Sequence, residues 1–224
     1  MLNTLITALR RVANHRKRLK SEGEQEIRKL GHRDYVGGMW EEIGQLQFDF
    51  LARQGLKPSD CLLDIACGSL RGGVQFIKFL DAGNYLGIDK ENKLIELGIE
   101  KELGKEVYNN KKPEFVVSDN FEFEKFSKKP RFSIAQSLFT HLISKDICLC
   151  FEKLREFVEP GHIFFVTFLE GDSAANLYTS HSLVAFYYSR EEMATFGNKH
   201  GWKATYIGDW GHPRNQMMMK YEAV

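Results

Sequence analysis

A glycine-bearing turn lies between an apolar strand and a helix at Leu62 to Gly73, and acidic residues follow the next two strands. Such a turn allows a ligand to approach the backbone at the start of the helix. Asp89 ends the next strand, about 20 residues after Gly68, where a carboxylate can accept hydrogen bonds from both hydroxyls of a ribose. Asp119 follows the third strand. Because parallel strands end at one edge of their sheet, this set predicts a site for an adenosine-bearing ligand.

Short apolar strands alternate with helical patterns along the chain. The strands are predicted at Cys61 to Ala66, Tyr85 to Ile88, Glu114 to Ser118, Phe132 to Ser137 and Ile163 to Leu169. Helical periodicity or capping is found at residues 91 to 104, 145 to 158 and 189 to 200. This alternation implies right-handed crossovers and a parallel sheet, so the predicted fold class is α/β.

The C-terminal segments follow a different pattern. Lys203 to Asp209 and Asn215 to Tyr221 have the composition of strands, and the loop between them is too short for a crossover helix. We therefore expect an antiparallel pair at the edge of the sheet.

Several of these segments resemble motifs of the class I S-adenosylmethionine-dependent methyltransferases. Leu63 to Gly68 is similar to the Asp-x-Gly-x-Gly turn of that family, and Asp89 is similar to its ribose-binding acid. Ser118 to Phe121 resembles the corner that contacts adenine. Ala135 to Leu142 is similar to the fourth-strand segment, and Glu159 to His162 to the turn before strand five.

The resemblance covers about residues 32 to 221 and is nearest to bacterial small-molecule enzymes. It implies a Rossmann-like, doubly wound, seven-stranded sheet that is mostly parallel with an antiparallel last strand. It also implies S-adenosylmethionine as the cofactor, S-adenosylhomocysteine as the product, and methyl transfer to an oxygen or nitrogen of a small molecule such as a sugar or secondary metabolite. The implied cofactor-binding residues are Asp64, Ala66, Gly68, Asp89, Lys90, Asp119, Asn120, Phe121 and Gln136.

The turn departs from the family pattern at two positions. Ala66 replaces the first glycine, and Leu70 stands where a third glycine is expected. We predict that Gly72 and Gly73 provide the flexible positions instead.

Methyl transfer requires an aligned acceptor, exclusion of water and, for a hydroxyl or amine, removal of a proton. His141 follows the fourth strand and is the predicted general base, although a histidine that packs the next helix fits equally well. Glu170 to Tyr188 is the longest aperiodic connection and is predicted to be an acceptor lid, with a surface loop as the alternative. The predicted substrate contacts, each with a purely structural alternative, are Tyr35, Trp40, Tyr188, His212 and Arg214.

Charge is distributed unevenly over the 224 residues. The first 20 residues contain six basic and no acidic side chains, whereas the remainder has an acidic excess that disfavours nucleic acid as a partner. We predict a basic amphipathic helical extension at residues 1–30 and a methyltransferase domain at residues 31–224. The extension either lies on anionic lipid as a peripheral contact, or is a mobile or body-packed helix.

The longest strongly apolar stretch, Ile163 to Leu169, is much shorter than the roughly 20 residues of a membrane span. The four cysteines have no zinc-ligand spacing, so no metal site is predicted. With no pattern typical of a secretory signal, the expected location is cytoplasmic.

Two other functions fit parts of the pattern. A nicotinamide-dependent short-chain oxidoreductase also has a glycine turn and a ribose acid, but the glycine spacing here fails G-x-G-x-x-G, and the Tyr108 to Lys112 match precedes the third strand. A non-catalytic binding or scaffold protein on the methyltransferase fold is the second alternative.

Overall fold

A mixed eight-stranded sheet organises residues 22–224, the part of the chain that the computed structural model describes. Its strands are β1 (Leu62–Ile65), β2 (Tyr85–Asp89), β3 (Glu114–Val117), β4 (Phe132–Ala135), β5 (Ile163–Glu170), β6 (Tyr187–Tyr188), β7 (Trp202–Asp209) and β8 (Gln216–Ala223). The order across the sheet is β3-β2-β1-β4-β5-β8-β7, and the short β6 pairs with the end of β5. The predicted α/β, Rossmann-like fold is confirmed, with one two-residue strand more than expected.

Strands β1 to β5 are parallel, whereas β8 runs antiparallel to both of its neighbours. Ile163 lies opposite Glu222 and Leu169 lies opposite Gln216 along the β5–β8 pair. The predicted antiparallel pair is therefore confirmed. Its last strand is inserted between β5 and β7, so β7 forms the edge of the sheet.

Helices cover both faces of this sheet. They are α1 (Glu24–Leu30), α2 (His32–Tyr35), α3 (Trp40–Arg53), α4 (Gly73–Phe79), α5 (Asn92–Leu97), α6 (Lys105–Lys111), α7 (Ser144–Phe157) and α8 (Arg190–Asn198). Helix α8 begins with the predicted capping box, in which Ser189 accepts from the Glu192 amide and the Glu192 side chain accepts from the Ser189 amide.

The predicted helix at residues 91 to 104 has two parts. After α5 the chain continues as a π-helix at Gly98–Leu103 and ends at Gly104, whose φ is +83°. A Cβ at Gly98 would lie 2.7 Å from the Ser69 carbonyl oxygen, so only glycine allows the helix to approach the turn after β1 this closely.

The core consists of two apolar layers, one on each face of the sheet. Phe164 belongs to the layer that contains Phe151 and Tyr221, whereas its neighbour Phe165 packs in the other layer against Phe50. Side chains alternate between faces along a strand, which explains why a continuous apolar run serves both layers.

The predicted amphipathic segment of residues 1–20 lies outside the described residues. The described part of the predicted extension contains α1, whose Ile27 is buried in a small cluster with Tyr35 and Leu94. Within residues 22–224, every helix is too short or too polar to cross a bilayer.

Helix α3 packs directly on the backbone of the turn that follows β1. A Cβ at Gly44 would lie 2.5 Å from the Arg71 carbonyl oxygen. Because this oxygen belongs to the backbone, it cannot move away as a flexible side chain would. Gly44 therefore sets the distance between α3 and the turn.

We expect Gly44→Ala to lower the free energy of unfolding by about 1–3 kcal/mol because the new methyl group overpacks this contact. On a solvent-exposed helix face, replacing glycine by alanine raises the free energy of unfolding by about 0.5–1 kcal/mol, so the sign of the change distinguishes the two situations. Urea unfolding measures the effect. Gln45→Ala, an exposed change on the same helix, should stay within about 0.5 kcal/mol, and a stabilising Gly44→Ala would contradict the close packing.

Candidate functional site

A cavity of about 710 Å³ opens at the carboxyl ends of β1, β2 and β4. Its volume is within the range of small-molecule sites. Three regions enclose it: the strand ends, the segment around Tyr35 to Gly37, and residues 180–185 of the connection between β5 and β6. Nine predicted cofactor residues line it, namely Asp64, Ala66, Gly68, Asp89, Lys90, Asp119, Asn120, Phe121 and Gln136.

The turn after β1 takes its shape from three residues in the left-handed region. Ala66 has a φ of +61°, Gly68 of +54° and Leu70 of +68°. The expectation that the flexible positions move to Gly72 and Gly73 is therefore wrong, because Gly72 has a φ of −84° and Gly73 is helical. The non-glycine residues adopt the strained conformation themselves, at a cost of about 1–2 kcal/mol each.

Gly72 and Gly73 are required for a different reason. A Cβ at Gly72 would lie 2.7 Å from Gln47 Oε1, and a Cβ at Gly73 would lie 2.5 Å from the Tyr85 hydroxyl. These glycines allow α3 and β2 to approach the start of α4.

The carboxylate of Asp89 joins the turn to the end of β2. Its Oδ2 accepts a hydrogen bond from the Gly68 amide and its Oδ1 accepts one from the Glu91 amide, both at 2.8 Å. Burial raises the pKa of Asp89, while the two amide donors act in the opposite direction. Each carboxylate oxygen can accept a further hydrogen bond on the cavity side, as the predicted ribose contact requires.

Asp64 lies in β1 and is buried, with 4% of its surface exposed. The Tyr85 hydroxyl donates to its Oδ2 at 2.7 Å, which links β1 to β2. Burial raises the pKa of Asp64 to about 7, so this carboxyl is partly protonated at neutral pH.

The corner after β3 is more open. Asp119 and Asn120 are exposed, and Asn120 Nδ2 donates to Asp119 Oδ1 at 2.9 Å. Phe121 has a φ of +56° and contributes an aromatic surface to the cavity. Lys90 is also exposed and its Nζ lies 3.4 Å from Glu22 Oε2.

A neutral polar network lies at the carboxyl end of β4. Gln136 Nε2 donates to the Ser137 hydroxyl at 2.6 Å, and the Ser137 amide donates to Thr167 Oγ1 at 2.7 Å. Thr167 in turn donates to Gln216 Oε1 at 2.8 Å. These bonds satisfy the buried polar atoms and fix Gln136, which lines the cavity.

The predicted base, His141, lines the same cavity. Its Nδ1 is 2.9 Å from the Val184 carbonyl oxygen. Since a carbonyl only accepts, Nδ1 carries the proton of the neutral ring and Nε2 carries the lone pair. Burial lowers the pKa of His141, which keeps the ring neutral at physiological pH. No group among residues 22–224 hydrogen-bonds to Nε2, so this atom can accept a proton.

The end of the predicted lid is docked on the segment that contains His141. The His181 amide donates to the His141 carbonyl at 2.9 Å, and the Phe186 amide donates to the Thr140 carbonyl at 2.8 Å. The cavity-lining residues of the connection are Ser180, His181, Ser182, Leu183 and Ala185. Residues 180–185 of the connection therefore cover the cavity, whereas Tyr178 in its earlier part is exposed.

Of the five predicted substrate residues, Tyr35 and Arg214 line the cavity and the other three do not. Trp40 contacts Arg33, whose guanidinium carbon is 4.9 Å from the ring centroid. Tyr188 is buried, and its hydroxyl donates to the Leu142 carbonyl. The remaining residue, His212, is buried behind the network at Gln136.

The ring of His212 stacks on Trp210 with centroids 5.4 Å apart, and His212 Nε2 is 3.2 Å from Gln136 Nε2. Burial and two nearby arginines lower the pKa of His212 to about 4, so the ring is neutral. Packing against neighbouring side chains thus determines the position of all three residues.

The polar residues of the cavity wall that were not predicted include Arg71 and Gln47. Arg71, only 8% exposed, donates to the Gly38 carbonyl at 2.9 Å and to Gln136 Oε1 at 2.7 Å. Gln47 is a buried glutamine of α3. The available signals were a charged residue inside a glycine turn and a polar residue on the apolar face of a helix.

Within residues 22–224, no group of three or more histidine, cysteine, aspartate or glutamate side chains is arranged to hold a metal ion.

The sequence matches no model of a known protein family. Solved structures with a similar fold include the glycopeptide N-methyltransferase MtfA, with 12% identity, a TM-score of 0.63, and coverage of 83% of this chain and 92% of that one. The CcbJ methyltransferase from Streptomyces caelestis has 15% identity and a TM-score of 0.63, and the match covers 84% of this chain and 92% of that one. Magnesium protoporphyrin IX methyltransferase (ChlM) from Synechocystis PCC 6803 with bound SAM has 12% identity and a TM-score of 0.59, and the match covers 81% of each chain. The chain therefore has the fold of S-adenosylmethionine-dependent methyltransferases.

We expect Ala66→Gly to raise the free energy of unfolding by about 1 kcal/mol, because glycine adopts the φ of +61° without strain. The matched change Ala52→Gly, at an exposed helical position of α3, should lower it by about 1 kcal/mol. Chemical denaturation of both variants measures the difference. If both glycines destabilise the protein equally, the turn is not strained at Ala66.

Proposed function

We propose that this chain, which has the methyltransferase fold, binds S-adenosylmethionine and transfers its methyl group to an oxygen or nitrogen of a small molecule. One observation carries the proposal. One cavity of suitable volume is lined by the turn after β1, which contains the residues with positive φ, by the Asp89 carboxylate and by Phe121 after β3. S-adenosylhomocysteine is then the product that must leave.

The residues of the cavity fit this cofactor. Asp89 offers acceptor sites for the ribose hydroxyls, and its position is fixed by two backbone amides. Phe121 provides an apolar face for the adenine. Gly68 lets the Val36 side chain pack closely on the turn, because a Cβ at Gly68 would lie 3.0 Å from Val36 Cγ1. Lys90, Asp119 and Asn120 border the adenosine end, and Ala66, Asp64 and Gln136 border the methionine end.

The bound cofactor supplies an electrophilic methyl group on its sulfonium, so the protein has to align the acceptor and manage one proton. His141 performs the second task in this proposal. Its Nε2 lone pair takes the proton of an acceptor hydroxyl or amine, while Nδ1–H stays bonded to the Val184 carbonyl. The docked residues 180–185 exclude water from the reacting atoms.

The neighbours' names support a small-molecule acceptor only in general terms. One is a glycopeptide N-methyltransferase and another acts on magnesium protoporphyrin IX. Because these acceptors differ and the identities are 12%, the acceptor of this chain has to be inferred from its own cavity. A sugar or another secondary metabolite fits the size of that cavity.

The oxidoreductase alternative has little support. Strand β8 runs antiparallel between β5 and β7, unlike the parallel dinucleotide-binding sheet. Tyr108 lies on α6 and, like Lys112, is outside the cavity wall. A non-catalytic protein on this fold is distinguished from an enzyme by the binding and turnover measurements below.

We expect Asp89→Ala to weaken S-adenosylhomocysteine binding about 100-fold, because two hydrogen bonds from the ribose to a charged acceptor are lost. Titration calorimetry of the full-length protein with S-adenosylmethionine, S-adenosylhomocysteine and NAD measures this. The wild type should bind the first two and not NAD.

Asp81→Ala is the matched control, since Asp81 is exposed and precedes β2 at the opposite edge of the sheet. Circular dichroism should show that both variants remain folded. Equal affinity of the Asp89 variant and the wild type would exclude the ribose assignment, and binding of NAD alone would favour the oxidoreductase.

We expect His141→Asn to lower turnover about 100-fold with nearly unchanged cofactor affinity, because asparagine cannot accept the acceptor proton. In the wild type the rate should fall only below pH 6.5, since the pKa of His141 is lowered and the free base persists under mildly acidic conditions. The assay follows methyl transfer from labelled S-adenosylmethionine to screened acceptors. Full activity of the variant would assign His141 a structural role.

A further inference from the structure

The Glu22 carboxylate joins three parts of the structure around the cavity. Its Oε1 accepts a hydrogen bond from the Ser182 amide and lies 3.0 Å from His181 Nδ1. Its Oε2 lies 3.4 Å from Lys90 Nζ. His181 and Ser182 belong to the connection between β5 and β6, Lys90 follows β2, and all three line the cavity. One side chain from the segment before α1 therefore reaches both the connection and the end of β2.

The backbone that carries Glu22 is held by a separate contact. The Gly23 amide donates to the Tyr35 hydroxyl at 3.3 Å. Tyr35 is 8% exposed and packs in one cluster with Ile27 of α1 and Leu94 of α5. The segment is thus fixed on α2 and α5 independently of the connection that its carboxylate binds.

The contact between Glu22 and the connection is partly shielded from water. The Glu22 side chain is 25% exposed, and the His181 side chain is fully buried. Hydrogen bonds with a charged partner are stronger than those between neutral groups, and they lose strength where water reaches them. The nearby pair of Glu24 with Arg28 differs, because both of its side chains are more than half exposed. Glu22 is therefore better placed than Glu24 to hold a segment of chain.

Ser182 lies two residues before the carbonyl that fixes His141. The Val184 carbonyl accepts from His141 Nδ1 at 2.9 Å, and the His181 amide donates to the His141 carbonyl at 2.9 Å. The Val184 amide in turn donates to the His181 carbonyl at 3.2 Å, which closes these residues into one turn. Glu22 and His141 each bind this same turn. A displacement of Ser182 would therefore move the Val184 carbonyl away from the ring.

We propose that Glu22 is a positioning residue for the methyl transfer: its carboxylate holds residues 180–185 closed over the cavity and so holds the Val184 carbonyl against His141. The inference rests on the proposed function and adds to it a residue that lies 160 positions before Ser182 in the chain. Glu22 acts through the connection, since it is not among the residues that line the cavity.

Hydrogen exchange measures the closure directly and requires no ligand. In the full-length protein, mass spectrometry follows the exchange of the amides of residues 181–186. Glu22→Ala should accelerate their exchange about tenfold or more, because the charged acceptor of the Ser182 amide is lost. Glu22→Gln keeps an oxygen for this amide, so it should accelerate the exchange to a smaller extent.

Glu24→Ala is the matched control, because it also removes one acid but lies at an exposed position of α1. Its exchange at residues 181–186 should equal that of the wild type. Circular dichroism should show that the variants remain folded, and if Glu22→Ala does not fold, Glu22→Gln is compared with Glu24→Gln in the same way. Exchange of the Glu22 variant equal to that of the wild type, or equal acceleration by the Glu24 variant, would overturn the proposal.

The effect on the base is measured by ¹⁵N NMR of the histidine rings. The His141 signals are those that disappear in His141→Asn. In the wild type they should report a proton on Nδ1, and Glu22→Ala should shift them towards a mixture of the two tautomers. Unchanged His141 signals in a Glu22→Ala protein whose connection exchanges faster would overturn the positioning role.

Turnover separates this role from the proposed function. With saturating S-adenosylmethionine and acceptor, Glu22→Ala should lower kcat about tenfold and change KM for S-adenosylmethionine less than about threefold, because the carboxylate positions the base. Glu24→Ala should keep the kcat of the wild type. An unchanged kcat, or a loss confined to KM, would overturn the positioning role. Failure of the wild type to bind S-adenosylhomocysteine would instead overturn the proposed function, while the exchange experiment would still show whether Glu22 closes the connection.

Discussion

The hydrogen bond from the Gly68 amide to Asp89 is the contact on which the candidate site depends. It connects the turn after β1 to the end of β2, and so it fixes where the chain must bend before α4 begins. The bend requires left-handed residues at positions 66, 68 and 70. Although alanine and leucine are poorly suited to this conformation, the surrounding packing enforces it.

The packing around the turn is correspondingly close. Gly44 of α3, Gly98 of the π-helix and Gly73 of α4 each lack the space for a Cβ. Three helices are thereby held against one short turn. A rigid framework of this kind keeps the Asp89 carboxylate in place without help from a ligand, which reduces the entropy lost on binding.

Much of the fold could be predicted from the sequence, because its signals are local. The sequence signals for the strands and helices, for the capping box at Ser189 and for the short loop before β8 each depend on neighbouring residues. The structure contains all of these features. The meeting of the proposed cofactor residues in one cavity could also be predicted, since they lie at strand ends. Tyr188 and His212 were placed wrongly at the cavity because the direction of a side chain depends on distant packing partners. Arg71 was missed for the same reason.

The docking of the β5–β6 connection on the segment of His141 links two properties of the site. The Val184 carbonyl selects the ring tautomer, and the same stretch of chain provides the burial that keeps the ring neutral. If this stretch moved away, the proton could shift between the ring nitrogens and the basicity of the ring would return towards that of a histidine in water. Opening the cavity for exchange of small molecules would thus release the choice of tautomer and raise the pKa of the ring, and closing it would again leave the lone pair on Nε2 of a neutral ring.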